Sequence, residues 1–133
     1  MWRIKVFLKA DDEDVLTEWY RNHEGNRWLN LRAKVFVRFE YLAQQPTVND
    51  WAASYHPLKG QAGLGRVKID FNHIAYRFIG FFGPSAKEFT VLAIAEEHDR
   101  VYMPKGIIVQ AADRMKLAKK YPKLAVPVNF RRN

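Results

Sequence analysis

Cysteine is absent from the 133-residue sequence. That excludes disulfides and thiolate-ligated metal, and a cytoplasmic protein is the plain expectation. Long apolar runs are absent too. Nothing approaches the ~18 consecutive apolar residues of a membrane-spanning helix, so no membrane partner is expected. The start, Met1-Trp2-Arg3-Ile4-Lys5-Val6, alternates apolar and polar residues where a secretory leader has an unbroken apolar stretch. His56, His73 and His98 include no pair at the helical spacing of a metal site, so no metal and no other cofactor is expected. Gly60, Gly63 and Gly65 lack the Lys-Ser/Thr ending of a phosphate loop and read as turn glycines. Acid is in short supply: 14 Asp and Glu against 22 Lys and Arg leave a net charge of +8. Such a field favours polyanions, nucleic acid first among them, although an acidic protein partner or solubility are other uses of the same charge.

What is present begins with one charge in an unusual setting. Arg77 sits inside Ile74-Ala75-Tyr76-Arg77-Phe78-Ile79-Gly80-Phe81-Phe82, a run apolar enough to be covered on both faces. Burying an unpartnered guanidinium there costs several kcal/mol, so Arg77 has either a fixed internal partner or a cleft to point into. Arg66 and Lys68 on the preceding strand, two residues apart, share one face. If Arg77 projects from that face, three cations form a patch on a rigid floor that suits a phosphate.

The apolar share of 48% and aromatic share of 14% support one folded domain over residues 1–133. Residues 2 to 9 alternate as a half-exposed strand, with Trp2, Ile4, Val6 and Leu8 on one side. Asp11-Asp12-Glu13-Asp14 opens a helix by capping its free N–H groups, and Val15, Leu16, Trp19 and Tyr20 continue it to a break at Gly25. From about Arg27 to Gln45, Trp28, Leu31, Val35, Phe39 and Leu42 recur at helical intervals, with Arg32, Lys34 and Arg38 on a solvated face. Residues 46 to 65 read as an irregular connection. Three strands follow at about 66–71, 74–82 and 88–95, with turns at Asn72-His73 and Gly83-Pro84-Ser85. Pro104 suits the first turn of a helix reaching about Lys120. The segment 124–130 reads as a short edge strand or extended arm, and Arg131 and Arg132 as a mobile end. The tryptophans read as core, Trp51 least securely. The result is an α+β domain: a small antiparallel (mixed) sheet, helices on one side, and the other face concave and open.

Leu58-Lys59-Gly60, Gly63-Leu64-Gly65-Arg66-Val67-Lys68-Ile69 and Tyr76-Arg77-Phe78-Ile79, after two helices and before a helix with Ala111, Ala112 and Arg114, resemble the centre of the RelE/ParE superfamily of bacterial toxins. The order is most similar to the HigB-like, phage-derived branch. The resemblance implies a RelE-like fold and a ribosome-dependent mRNA endonuclease that needs no metal, held inactive by a cognate antitoxin protein. It implies attack of a ribose 2′-hydroxyl on the adjacent phosphate, with cations stabilising the charge that develops. Carried over, Arg66 and Lys68 match the basic pair and Arg77 the arginine after tyrosine. Lys59 falls where the family holds RNA backbone, and His56 where some relatives place a general base. Where many relatives carry a lysine pair, this chain reads Glu96-Glu97-His98-Asp99-Arg100, which leaves His98, Arg100 or Tyr102 to supply what is missing; Lys105 follows as a further RNA-binding candidate.

Three functions stand beside one another at this point. The first is the RNA-cleaving toxin. The second is a ParE-type toxin that inhibits DNA gyrase by binding. The third is a non-catalytic module that binds nucleic acid or an antitoxin. Arg77 is also a candidate structural arginine paired with Glu96, Glu97 or Asp70, and Arg66 and Lys68 are candidate edge-strand residues that discourage strand pairing.

Overall fold

The alternation near the start forms strand β1, Arg3–Phe7, with Ile4 and Val6 buried on one side. Phe7 is buried as well, because β1 lies inside the sheet and is covered on both faces. The acidic stretch caps the next element as expected. Asp14 accepts from the Thr17 amide at 2.7 Å and from its hydroxyl at 2.9 Å, which sets the start of helix α1, Val15–Arg21. A 3₁₀ turn at Asn26–Trp28 leads into α2, Leu29–Ala43, whose buried residues Leu31, Val35, Phe39 and Leu42 are those the periodicity singles out. The structure, a computed structural model, describes residues 1–130; Arg131 and Arg132 lie outside the described residues.

The connection expected to be irregular has structure of its own. A 3₁₀ turn at Val48–Trp51 is closed by reciprocal Thr47–Asp50 bonds, and strand β2 follows at Tyr55–Pro57. Then come β3, Gly65–Phe71; β4, Ile74–Phe82; and β5, Glu88–His98. The last runs three residues past its expected end because a short strand, β6, Val101–Met103, folds back on it. Asp99 and Arg100 make that reversal with positive φ at both positions, the geometry of a two-residue hairpin turn. Helix α3, Ile107–Lys120, starts three residues after Pro104 rather than at it, and β7, Ala125–Pro127, supplies the expected short strand.

Among the described residues the sheet is larger than expected: seven strands in the order β2-β3-β4-β5-β1-β7, with β6 against the other end of β5. It is mixed, because β1 runs parallel to β5 while the other ladders are antiparallel. Expectation and structure also part over the helices. Helices α1 and α2 cover the face carrying Tyr76, Phe78 and Phe82, where Trp19 meets Tyr76 and Phe78, and Phe39 meets Phe78. Helix α3 lies on the opposite face, its Arg114 over Phe7 and its Lys119 over Phe81. The face expected to be open is therefore covered at the Phe7 and Phe81 end. At the end of the α2 face, Trp51 is fully buried among Trp2, Tyr55, Phe82 and Phe89.

One glycine is required by close approach. Between β4 and β5 the register shifts at Ile79/Gly80, so that Gly80 faces Val91 and Leu92 is left unopposed. A Cβ on Gly80 would stand 2.3 Å from the Thr90 carbonyl and 2.7 Å from the Phe89 ring.

Candidate nucleic-acid interface

The ladder registers decide which predicted residues meet. In β3–β4, Lys68 stands directly opposite Arg77 and Arg66 opposite Ile79, while in β2–β3 His56 stands opposite Arg66. Alternation puts His56, Arg66, Lys68 and Arg77 on one face, the one that carries α3 at its other end. The Cα atoms of His56, Arg66 and Lys68 thus fall within about 9 Å of one another. All three remain at least partly exposed. Among the described residues no ion pair involves the Arg66 or Lys68 side chain, and the Arg66 Nε is buried without a hydrogen-bond partner.

Arg77 is different in kind. Only 7% exposed, it donates from Nε to Glu97 at 2.7 Å and from Nη1 to Asp70 at 2.9 Å and to the Tyr76 carbonyl at 2.9 Å. Burial alone would lower its pKa, but the hydrogen bonds it donates to Asp70 and Glu97 outweigh burial and the net direction is up. Of the two settings the sequence allows Arg77, a fixed partner or a cleft, the structure has the first, with Asp70 and Glu97 as the partners, so Arg77 adds no bare charge to the Arg66 and Lys68 patch.

Tyr102 belongs to the same neighbourhood. In the β5–β6 ladder it stands opposite Glu97. Burial pushes its phenol above the ordinary tyrosine value, the charge of Glu97 adds to that, and Arg66 and Arg77 act in the other direction. The phenol is a neutral hydrogen-bond donor under physiological conditions. Strands β3, β4 and β5 separate Tyr102 from His56, so the two do not flank a single phosphate.

His98 does not join the strip. Two residues from Glu96 on the same face of β5, it pairs with that carboxylate at 3.1 Å and stands on the side of the sheet opposite Glu97 and Arg77. Arg100 is exposed in the β5–β6 turn, Lys105 is exposed in the turn before α3, and Lys59 is exposed beside Gly60. These three are peripheral to the His56, Arg66 and Lys68 cluster.

Two cations read as solvated prove to be structural. From α2, Arg38 donates to the Lys68 carbonyl at 2.6 Å and to the Ser54 hydroxyl at 3.2 Å, and Lys34 donates to the Asp70 carbonyl. Strand β2 pairs β3 only at Gly65–Val67, so these side chains serve carbonyls beyond its reach. The signal missed in the sequence is spacing: Lys34 and Arg38 are four apart and so lie on one face of the helix. Among the described residues no cluster of three His, Asp or Glu side chains is placed to hold a metal ion, and no helix is long and apolar enough to cross a membrane. Comparison with protein-family models, with curated proteins and with solved structures finds no match to this chain.

Proposed function

We propose that this protein is the RNA-cleaving toxin of a toxin–antitoxin pair, acting on message engaged with the ribosome. The observation that carries the reading is the compact group of His56, Arg66 and Lys68 on a partly open sheet face, with both cations free of carboxylate partners. Unspent cations on a rigid floor are what a phosphodiester backbone needs, since bound phosphates replace water without first breaking an internal ion pair. In the step proposed, His56 takes the proton of a ribose 2′-hydroxyl as the 2′-oxygen bonds to phosphorus. The bond from phosphorus to the 5′-oxygen breaks, and the Lys68 ammonium gives that oxygen a proton. A 2′,3′-cyclic phosphate and a 5′-hydroxyl result. Arg66 stabilises the charge that builds on the phosphorus oxygens, the contribution that preorganised donors make largest. Tyr102 offers its phenol to a neighbouring nucleotide, and Lys59, Arg100 and Lys105 flank the path of the strand.

Arg77 in this reading shapes the floor through Glu97 and Asp70 rather than touching RNA. The same pairing favours the third of the functions above, a module that binds RNA or an antitoxin without cleaving. A cell-free translation assay with message 5′ ends mapped by primer extension separates the two. New ends on translated message are expected, with Arg66→Ala and Lys68→Ala each lowering their formation about 10²- to 10³-fold while far-ultraviolet circular dichroism stays unchanged. Message that remains intact while the protein retains RNA points to the binding module. Intact message without RNA binding removes the interface assignment and leaves gyrase inhibition to be assayed.

A further inference from the structure

Helix α2 carries more apolar surface than the fold uses. Leu31, Val35, Phe39 and Leu42 are buried in the core, yet Leu29, Ala33, Val37 and Tyr41 recur at intervals of four on the side turned to solvent. Leu29 is 52% exposed, Val37 63% and Tyr41 58%. A surface helix ordinarily has one apolar stripe and a charged outer face. The outer positions beside those four, Asn30, Glu40 and Gln44, include a single charge, although 27% of the chain is charged. Valine in the middle of an exposed helix face also works against the helix, since its branched side chain loses rotamer freedom there. The cations lie around the stripe instead. Lys34, on its flank, donates to the Asp70 carbonyl; Arg27 precedes the helix; and Lys87, beyond its end, donates to the Pro46 carbonyl at 2.8 Å. All three are exposed, and among the described residues none pairs with a carboxylate.

We infer that the outward face of α2 docks an acidic amphipathic helix of a partner protein, with that helix's apolar stripe on Leu29, Ala33, Val37 and Tyr41 and its carboxylates toward Arg27, Lys34 and Lys87. A contiguous exposed apolar patch with a polar rim marks an interaction site, and anchors at helical spacing are how one helix reads another. The net charge of +8 draws an acidic partner and opposes a second copy. An antiparallel two-fold pairing about the middle of the stripe would also set Lys34 beside its own copy. Area argues in the same direction. The 15 residues of α2 make a face about 22 Å long and about 10 Å wide, well short of the ~800 Å² that each partner of a stable dimer buries, whereas a single helix covers it. Lys34 and Arg38 fasten α2 to carbonyls of β3, so the platform is fixed before the partner arrives. Helices α1 and α2 cover the face of the sheet opposite the strip, so the partner helix docks behind His56, Arg66 and Lys68 and leaves them open.

The inference rests on the proposed function for the partner's identity, the antitoxin, but its test is independent of cleavage. The probe is a labelled peptide of about 15 residues with leucine at helical intervals and alanine and glutamate elsewhere, followed by fluorescence anisotropy against the full chain. Two controls accompany it: the same composition with its leucines scattered round the helix, and the patterned peptide with lysine for glutamate. The patterned acidic peptide is expected to bind at least about tenfold tighter than either control. The Val37→Gln, Tyr41→Ala double variant should weaken it about tenfold or more. The Arg66→Ala, Lys68→Ala double variant should bind it as the unaltered chain does, and saturating peptide should leave the binding of a short oligoribonucleotide unchanged. Sedimentation velocity of the protein alone should show a monomer. No binding, equal binding of the controls, binding lost with Arg66 and Lys68 but not with Val37 and Tyr41, displacement of RNA, or a dimer that Val37→Gln dissociates would overturn the assignment. Such a result leaves the cleavage assay untouched, and failed cleavage with the peptide held at α2 would instead remove the nuclease and keep the docking surface.

Discussion

At the scale of single residues, what a charge does here depends on whether a partner is already in place. Arg77 is the clearest case: the sequence shows that a guanidinium in that run needs a partner or a cleft, but it does not choose between them. Glu97 lies twenty residues away in sequence and is brought within 2.7 Å only by the β4–β5 register. Glu88 is a second buried charge with partners already in place. It is 5% exposed, accepts from the Ser85 amide at 3.2 Å and from Arg3 at 2.9 Å, and lies 3.4 Å from Lys5. Burial alone would raise its pKa, but the amide and the two cations outweigh burial and hold it below the ordinary carboxylate range. A carboxyl held low when folded contributes stability in full above its unfolded value of about 4.3. That contribution is lost as pH falls through the lower folded value. Urea midpoints measured from pH 6 down to pH 3 should therefore fall, and Glu88→Gln should flatten part of that fall while lowering the midpoint at pH 6.

At the scale of elements, the edge of β3 beyond β2 is finished by side chains instead of a strand. Arg38→Ala removes a charged donor from the Lys68 carbonyl and should cost about 1–2 kcal/mol. The urea midpoint should drop with the slope unchanged, as for a loss of stability without a change in surface exposed. Elements with strong periodicity or caps were legible from the sequence: α2 from its apolar spacing, α1 from Asp14, β4 over its full length. Elements of three residues were not. Strands β2 and β6 are too short to show alternation, and each exists because a longer strand offers it an edge. The site was legible to the same extent. Spacing placed Arg66 and Lys68 on one face, whereas His56 joined them only through β2, and His98 was lost because β5 carries it to the other side.

At the scale of the whole molecule, the proposed function would have the positive charge and the folded strip make separate contributions to RNA binding. The general field draws any polyanion, while direct phosphate contacts release counterions in proportion to their number. With Lys59, Arg66 and Lys68 each holding one phosphate of a single strand, log Kd should rise with log salt at a slope of about 2, from roughly 0.7 per contact. The Arg66→Ala, Lys68→Ala double variant should reduce that slope to about 0.7, read by fluorescence anisotropy on a short oligoribonucleotide.

The parallel pairing of β1 with β5 joins Arg3 to Glu88, and among the described residues β7 in turn pairs only with β1. The hairpins from β2 to β6 close over short loops, whereas β1 must wait for a partner made some eighty residues later, at a larger entropic cost of closure. That cost favours seating β1 after the meander that carries the cationic strip, with β7 added once β1 is in place. On a translating ribosome, the strip would form while the sheet is still missing its last two strands.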